Sequence, residues 1–130
     1  MSRIILIVED YEDSRLFLKL LLEMYGYETV EAEDGLEALK IVRNSFPDLI
    51  LMDIAMPVMD GLTATRKIRT IRCGNHIPII AVTAHGKQFY DKAIEAGCND
   101  LIEKPVDFDT LETTLEHYLG KEEFNCLNPS

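Results

Sequence analysis

The sequence of 130 residues has no apolar run that approaches the roughly 20 residues of a membrane span, and no signal-peptide pattern at its start. Its three cysteines are odd in number and lack C-x-x-C spacing, so they indicate neither a disulfide framework nor a zinc site. Basic residues are outnumbered: 13 Lys and Arg against 23 Asp and Glu give a net charge of −10, which argues against nucleic-acid binding. We therefore expect a cytoplasmic protein that contacts neither nucleic acid nor a membrane.

What remains is the composition of an ordinary globular domain, with 47% apolar and 28% charged residues. A chain of this length makes about one domain and can bury a core. No internal repeat or low-complexity tract interrupts it. We expect one domain over residues 1–120 and a C-terminal tail over residues 121–130.

Five short apolar runs alternate with segments of helical periodicity. Strands are predicted at Arg3–Val8, Tyr27–Ala32, Leu49–Asp53, Ile77–Thr83 and Asp100–Glu103. Helices are predicted from Asp13 or Ser14 to Gly26, from Asp34 to Phe46, from Leu62 to about Arg72, from about Phe89 to Ala96, and from about Asp107 to Leu119. This alternation predicts an α/β fold with a doubly wound, five-stranded parallel sheet of flavodoxin-like (βα)5 order 2-1-3-4-5.

Two of the predicted helices show a clear apolar periodicity near 3.6 residues. In the first helix the apolar positions are Leu16, Phe17, Leu20, Leu21 and Met24. In the second, the positions expected to face inward are Leu36, Leu39, Ile41 and Val42.

Acidic residues stand at the ends of two neighbouring strands of the predicted sheet. Glu9 and Asp10 follow the first strand, and Asp53 ends the third. Thr83 and Lys104 reach the same edge from the fourth and fifth strands. Two carboxylates about 4 Å apart repel by roughly 4 kcal/mol at an effective dielectric constant near 20, so three carboxylates against one lysine favour binding of a divalent cation. Oxygen ligands without His or Cys indicate Mg²⁺.

A carboxylate held beside Mg²⁺, a lysine and a hydroxyl is suited to receiving a phosphoryl group. Asp53 would be the nucleophile, while the cation, Lys104 and Thr83 would meet the charge on the transferring oxygens.

The sequence resembles the receiver domain of bacterial two-component response regulators, from Arg3 to about Leu119. The resemblance rests on motifs that occur in order, each following a strand: Val8-Glu9-Asp10, Asp53, Met56-Pro57-Val58-Met59-Asp60-Gly61, Thr83-Ala84 and Lys104-Pro105.

The resemblance implies a role for each site residue. Asp53 would accept the phosphoryl group, with Thr83 and Lys104 assisting. Asp10, Asp53 and the Ala55 carbonyl would bind Mg²⁺, and Glu9 would act through water. The Lys104-Pro105 peptide is expected to be cis.

The resemblance also implies partners. The phosphoryl donor would be a phosphohistidine on a sensor histidine kinase or a histidine phosphotransfer protein. The output would be phosphorylation-dependent binding of a downstream protein at the face of the fourth helix, fifth strand and fifth helix, with Phe89 or Tyr90 and Tyr118 as contacts. The domain would catalyse only its own phosphorylation and dephosphorylation.

Two positions depart from the family or vary within it. The family often has Tyr or Phe where this chain has Leu101, so the aromatic half of its switch is not expected here. His85, two residues after Thr83, is either a solvated loop residue or one that tunes loss of the phosphoryl group.

Three alternatives remain open. One is a degenerate receiver that serves only as an interaction module. Another is an aspartyl-phosphate phosphatase of the haloacid-dehalogenase type, which would normally have a second Asp where this chain has Ala55. A nucleotide or flavin binder would have G-x-G-x-x-G or a hydroxyl-rich loop after the first strand, where this chain has Glu9-Asp10.

Overall fold

A computed structural model describes residues 3–56 and 58–120. In this part of the chain, five strands alternate with five helices. The strands are β1 (Ile4–Val8), β2 (Glu28–Ala32), β3 (Leu49–Asp53), β4 (Ile79–Thr83) and β5 (Asp100–Glu103). The helices are α1 (Glu12–Met24), α2 (Gly35–Ser45), α3 (Gly61–Ile68), α4 (Gly86–Ala96) and α5 (Phe108–Leu119). Pro57 and the predicted tail lie outside the described residues.

The strands form one parallel sheet of order β2-β1-β3-β4-β5, which confirms the predicted topology. Strands β2 and β5 lie at its two edges. All carboxyl ends of the strands point to the same edge, and the order of the chain reverses between β1 and β3. A doubly wound sheet has its ligand crevice at this switch point.

The central strands are buried on both faces because helices cover each side of the sheet. On one face, Leu6 and Ile50 pack against side chains of α2, α3 and α4. On the other, Ile7 and Leu51 pack against α1 and α5. All five residues of β3 are buried. This explains why the strands read as continuous apolar runs rather than as alternating ones.

Three helices begin at an aspartate whose carboxylate accepts a hydrogen bond from a backbone N–H in the first turn. The pairs are Asp34 with Glu37, Asp60 with Thr63, and Asp107 with Thr110. Such caps satisfy amide groups that have no partner inside the helix. They fix the starts of α2, α3 and α5, close to where the sequence predicted them.

The predicted boundaries of α3 and α4 were wrong by several residues. Helix α3 ends at Ile68 rather than near Arg72, because the N–H groups of Thr70 and Ile71 bond to carbonyls only three residues back, at Lys67 and Ile68. The Arg69 guanidinium makes its contacts outside the helix. It donates to the carbonyl oxygens of Gly74, Ile77 and Gly97 and to Oδ1 of Asn99, at 2.6–2.9 Å. Helix α4 begins earlier than predicted, at Gly86, directly after the turn that follows Thr83.

The predicted apolar positions of α1 and α2 do not all face the core. In α1 the buried positions are Leu18, Leu21 and Leu22. The other apolar positions, which we call the outer α1 face, are 49–73% exposed: Leu16, Phe17, Leu20 and Met24. In α2, Leu36 is 44% exposed, whereas Leu39 and Val42 are buried. Helix α1 is apolar on two sides, but only one side contacts the sheet.

One cysteine among the described residues lies in the core. Cys98 is a free, buried thiol whose Sγ lies 3.7 Å from Thr65 Oγ1.

Within residues 3–56 and 58–120, no helix combines the length and the hydrophobicity that crossing a membrane requires.

Candidate functional site

The predicted site residues meet at the carboxyl edge of the sheet. Glu9 and Asp10 follow β1, Asp53 ends β3, and Lys104 follows β5. Each of the three carboxyl groups offers an oxygen, and these oxygens lie within 4.8 Å of one another. Glu9 and Asp53 are only 2% and 5% exposed, whereas Asp10 is open to solvent. The structure therefore brings together the acidic residues that the sequence singled out.

Lys104 pairs more closely with Glu9 than with Asp53. Its Nζ lies 2.8 Å from Glu9 Oε1 and 3.9 Å from Asp53 Oδ1. The second oxygen of Glu9 accepts a hydrogen bond of 3.2 Å from the Tyr11 N–H. Both carboxylate oxygens of Glu9 therefore have a hydrogen-bond partner. The sequence predicted that the lysine and the acids share one pocket. It did not predict that Lys104 binds Glu9 more closely than Asp53.

The charges in the site are unevenly compensated. Burial, followed by the neighbouring Glu9, raises the pKa of Asp53 to about 7. Burial also acts to raise the pKa of Glu9, but hydrogen bonds with Lys104, Asp53 and Tyr11 outweigh it and lower that pKa. The pKa of Lys104 is raised because Glu9 and Asp53 outweigh the effect of its burial. Without a cation, burial and the neighbouring Glu9 thus disfavour ionisation of Asp53, which raises its pKa.

The raised pKa of Asp53 predicts that the metal-free protein loses stability as the pH rises. Between the ordinary value of 3.8 and about 7, folded Asp53 keeps a proton that the unfolded chain has lost. The folded state then binds more protons, so its stability falls through this window. Melting temperatures in EDTA at about pH 5.5 and about pH 8 should show a larger decrease for the parent than for Asp53→Asn. Equal decreases would contradict the assignment.

The backbone around Asp53 is tightly packed. Asp53 Oδ1 accepts a 3.2 Å hydrogen bond from the Ala55 N–H, and the Gly61 N–H donates to the Ile54 carbonyl at 2.9 Å. A Cβ atom on Gly61 would collide with the Asp53 carbonyl oxygen and approach Ile54 Cα to 2.9 Å. Glycine is therefore required where α3 starts against the end of β3.

Thr83 lies at the end of β4, one residue beyond Val82, the cross-strand partner of Asp53. It is 4% exposed, and its Oγ1 accepts a 3.2 Å hydrogen bond from the His85 N–H. Ala84 and His85 are exposed, and the His85 ring lies 6.0 Å from that of Phe89. A displacement of the Thr83 hydroxyl would thus act directly on the turn that begins α4.

A cavity of about 500 Å³ opens beside the site, between α1 and the segment after β5. Glu9 and Lys104 line its polar end, and Phe17, Leu18 and Val106 are among its apolar walls. The Lys104-Pro105 peptide at its rim is cis, as the resemblance implied. The cavity joins the polar site to the outer α1 face.

Leu101 occupies the position where the family often has Tyr or Phe, and it contacts the core. It is half-buried and packs, like the half-buried Phe89, against the core on the side of α2, α3 and α4. Tyr90 is 48% exposed, and the Tyr118 hydroxyl donates to the Asn99 carbonyl at 3.1 Å. Of the two neighbouring aromatics, Tyr90 is therefore the surface residue and Phe89 belongs largely to the core.

Arg15, which the sequence pattern did not single out, also contacts the site. Its Nη1 donates a 2.9 Å hydrogen bond to the backbone carbonyl oxygen of Glu9, in the peptide group that joins Glu9 to Asp10. The available signal was a single arginine in α1, five residues after Asp10. The sequence could not show which way this side chain turns.

A sheet of order 2-1-3-4-5, with five helices and an acidic pocket at its carboxyl edge, defines a CheY-type receiver fold. The chain belongs to the response regulator receiver domain family, which matches residues 5–116. Domains of this family are generally non-catalytic signalling modules.

Individual relatives agree with this assignment. The polar-differentiation response regulator DivK of Brucella ovis is 40% identical over 121 residues, which cover 92% of this chain and 98% of DivK. The receiver domain of sensor histidine kinase PA1611 from Pseudomonas aeruginosa aligns with a TM-score of 0.87 and 34% identity, covering 93% of this chain and all of that domain. The chemotaxis response regulator CheY4 of Vibrio cholerae aligns with a TM-score of 0.85 and 28% identity, covering 92% and 100% of the two chains.

The residues present fit a magnesium ion. The PA1611 receiver structure contains magnesium coordinated in its active-site cleft. In this chain, Glu9, Asp10 and Asp53 form a cluster of carboxylate oxygens that could hold a metal, with one member open to solvent. Mg²⁺ prefers such oxygen ligands and keeps several waters, which an exposed Asp10 would allow.

Proposed function

We propose that this chain is the phosphoacceptor of a two-component phosphorelay, with its receiver domain at residues 1–120 and a tail at residues 121–130. It takes a phosphoryl group onto Asp53 in the cytoplasm and signals through altered protein binding. The observation that carries the proposal is the setting of Asp53: a buried carboxylate at the switch point, within reach of two further acids and a lysine.

In the proposed reaction, an Asp53 carboxylate oxygen attacks the phosphorus of a phosphohistidine. The P–O bond forms as the P–N bond breaks, and the imidazole of the donor leaves. Asp10, Asp53 and the Ala55 carbonyl would hold Mg²⁺, with Glu9 acting through water. The bound ion supplies electrostatic stabilisation of the transferring oxygens. Lys104 and Thr83 bind the phosphoryl oxygens from the neighbouring strand ends.

A phosphoacceptor accounts for the residues of the site better than a phosphatase or a degenerate receiver does. A haloacid-dehalogenase-type phosphatase would need a general acid where Ala55 stands. A degenerate receiver would have no reason to keep Asp53, Thr83 and Lys104 together at one edge. We expect the chain to catalyse only its own phosphorylation and dephosphorylation.

The proposed donor is a sensor histidine kinase or a histidine phosphotransfer protein. The outer α1 face, exposed and apolar, continues into the cavity that ends at Glu9 and Lys104. An apolar partner surface on this face would bring its phosphohistidine to the pocket. For the downstream protein, the proposed face is formed by α4, β5 and α5, with Tyr90 and Tyr118 as contacts.

Incubation with acetyl phosphate and Mg²⁺, followed by intact mass measurement, tests the proposal. We expect a gain of one phosphoryl group that is lost when EDTA replaces Mg²⁺. A chain that gains no mass under conditions that label another receiver would be an interaction module instead.

Magnesium is expected to raise the melting temperature, because filling the site relieves carboxylate repulsion in the folded state alone. At a concentration 100-fold above Kd, Mg²⁺ binding adds about 2.7 kcal/mol to the free energy of unfolding, which corresponds to a shift of several degrees in the melting temperature.

Asp10→Ala should lose this shift in thermal unfolding measured with and without Mg²⁺. Asp13→Ala, which removes an acid from the first turn of α1 outside the carboxylate cluster, should retain it. A parent that does not respond to millimolar Mg²⁺ would argue against the metal site.

A further inference from the structure

Arg15 connects the backbone of Glu9, beside the metal-site acids, with two glutamates at the end of β2. Its side chain is only 12% exposed although it lies on a surface helix. Nη1 donates to the Glu9 carbonyl at 2.9 Å, and Nε donates to Glu31 Oε1 at 3.2 Å. Nη2 lies 3.7 Å from Glu33 Oε1. One guanidinium thus connects the end of β1 with the end of β2 and the loop that follows it.

The Glu9 carbonyl belongs to the peptide group that leads into Asp10. The remaining polar groups of Glu9 are also held: its N–H donates to the Ala32 carbonyl at 3.1 Å, and its carboxylate binds Lys104 and the Tyr11 N–H. Asp10 itself is exposed at this turn. The direction in which Asp10 leaves β1 therefore depends on how the preceding peptide group is oriented, and Arg15 binds that group directly.

We propose that Arg15 is a positioning residue for the metal site: by holding the Glu9–Asp10 peptide, it keeps the Asp10 carboxylate close to Asp53. Glu31 and Glu33 orient the guanidinium and offset its charge. The inference rests on the proposed function, since it concerns Mg²⁺ binding by these acids. Groups that orient metal ligands commonly change metal affinity by about 10–100-fold when they are replaced.

The sign of the effect separates positioning from simple electrostatics. Arg15 carries a positive charge near a site for a cation, so its charge alone weakens Mg²⁺ binding. If charge were all that mattered, removing Arg15 would strengthen binding. If Arg15 positions Asp10, removing it weakens binding in spite of the favourable change in charge.

The test is calorimetric titration of Mg²⁺ into the full chain and three variants. We expect Arg15→Met to raise the Kd for Mg²⁺ by about tenfold, equivalent to about 1.4 kcal/mol. Lys19→Met is the matched control, because Lys19 Nζ also approaches Glu31, at 3.8 Å, from the same helix. That control should bind Mg²⁺ as tightly as the parent or slightly more tightly. Arg15→Met with an unchanged or lower Kd would overturn the inference.

Arg15→Lys covers the possibility that Arg15→Met does not fold. It keeps the charge and the aliphatic stem but replaces the planar fork with a single ammonium group. We expect a Kd severalfold above that of the parent, together with shifted amide resonances of Asp10 and Tyr11 in the metal-free state. A merely structural role would lower the melting temperature and leave the Kd unchanged. If the parent itself does not bind Mg²⁺, the proposed function fails; if parent and folded Arg15 variants bind alike, only this inference fails.

Discussion

Replacing Asp53 with Asn is expected to abolish labelling by acetyl phosphate while leaving the fold intact. The amide keeps the shape of the side chain, and its oxygen can still accept the hydrogen bond from the Ala55 N–H, but it cannot act as the nucleophile. Because the pKa of Asp53 is raised to about 7 by burial and by Glu9, the substitution also removes an unfavourable charge at alkaline pH. Intact mass measures the first effect, and thermal unfolding in EDTA at about pH 8 should show an equal or higher melting temperature.

Asp60→Asn provides the matched control for this experiment. Asp60 caps α3 in the loop that follows β3, and asparagine caps a helix about as well as aspartate. This variant should gain one phosphoryl group as the parent does. If Asp53→Asn gained mass as readily as Asp60→Asn, the phosphorylation site would have to lie elsewhere in the chain.

Gly61→Ala is expected to be the most damaging small substitution near the site. The added Cβ would collide with the Asp53 carbonyl oxygen and come within 2.9 Å of Ile54 Cα, and both are backbone atoms that can move only if the chain at the end of β3 shifts. Overpacking of this kind typically costs about 1–3 kcal/mol, and we expect about 3 kcal/mol because no flexible side chain can yield. The midpoint of urea unfolding measures the loss. Labelling at Asp53 should also slow, since relief of the collision displaces the end of β3.

Gly86→Ala tests whether this cost arises from the backbone collision. Gly86 is also the first residue of a helix that follows a strand of the site. A Cβ there would meet the Glu103 side chain, with Cδ at 2.9 Å, and that exposed side chain can rotate away. We expect a change of less than about 1 kcal/mol. Similar losses in the two variants would contradict the explanation.

The fold was predictable because its signals are local. Runs such as Ile4–Val8 and Leu49–Asp53 are apolar throughout since helices cover both faces of the sheet. The ends of α3 and α4 were not predictable to the same degree. Helix α3 stops at Ile68, where the backbone bonds of Thr70 and Ile71 span only three residues. Arg69 at this end binds Gly97 and Asn99, about 30 residues further along the chain, and no local pattern encodes that contact.

The sequence predicted which acidic residues and which lysine form the site, but not which of them bind each other. Strand order alone brings Glu9, Asp10 and Asp53 together, because each follows or ends a strand at one edge. That Lys104 binds Glu9 more closely than Asp53 depends on side-chain reach at the scale of an ångström. The packing of α1 decides that Leu20 is exposed and that the Arg15 side chain is largely buried. The apolar periodicity of the helix predicted neither.

The two strands at the sheet edges carry acidic side chains, and this bears on how the protein behaves at high concentration. Strand β2 has Glu28 and Glu31, and β5 has Asp100 and Glu103. Open strand edges invite hydrogen bonding between copies and subsequent aggregation, which charged residues on those strands oppose. Two molecules that paired their β2 or β5 edges would bring these acidic side chains close together, although Arg15 and Lys19 partly offset the charge of Glu31. Growth into larger β-structures is thereby disfavoured at both ends of the sheet.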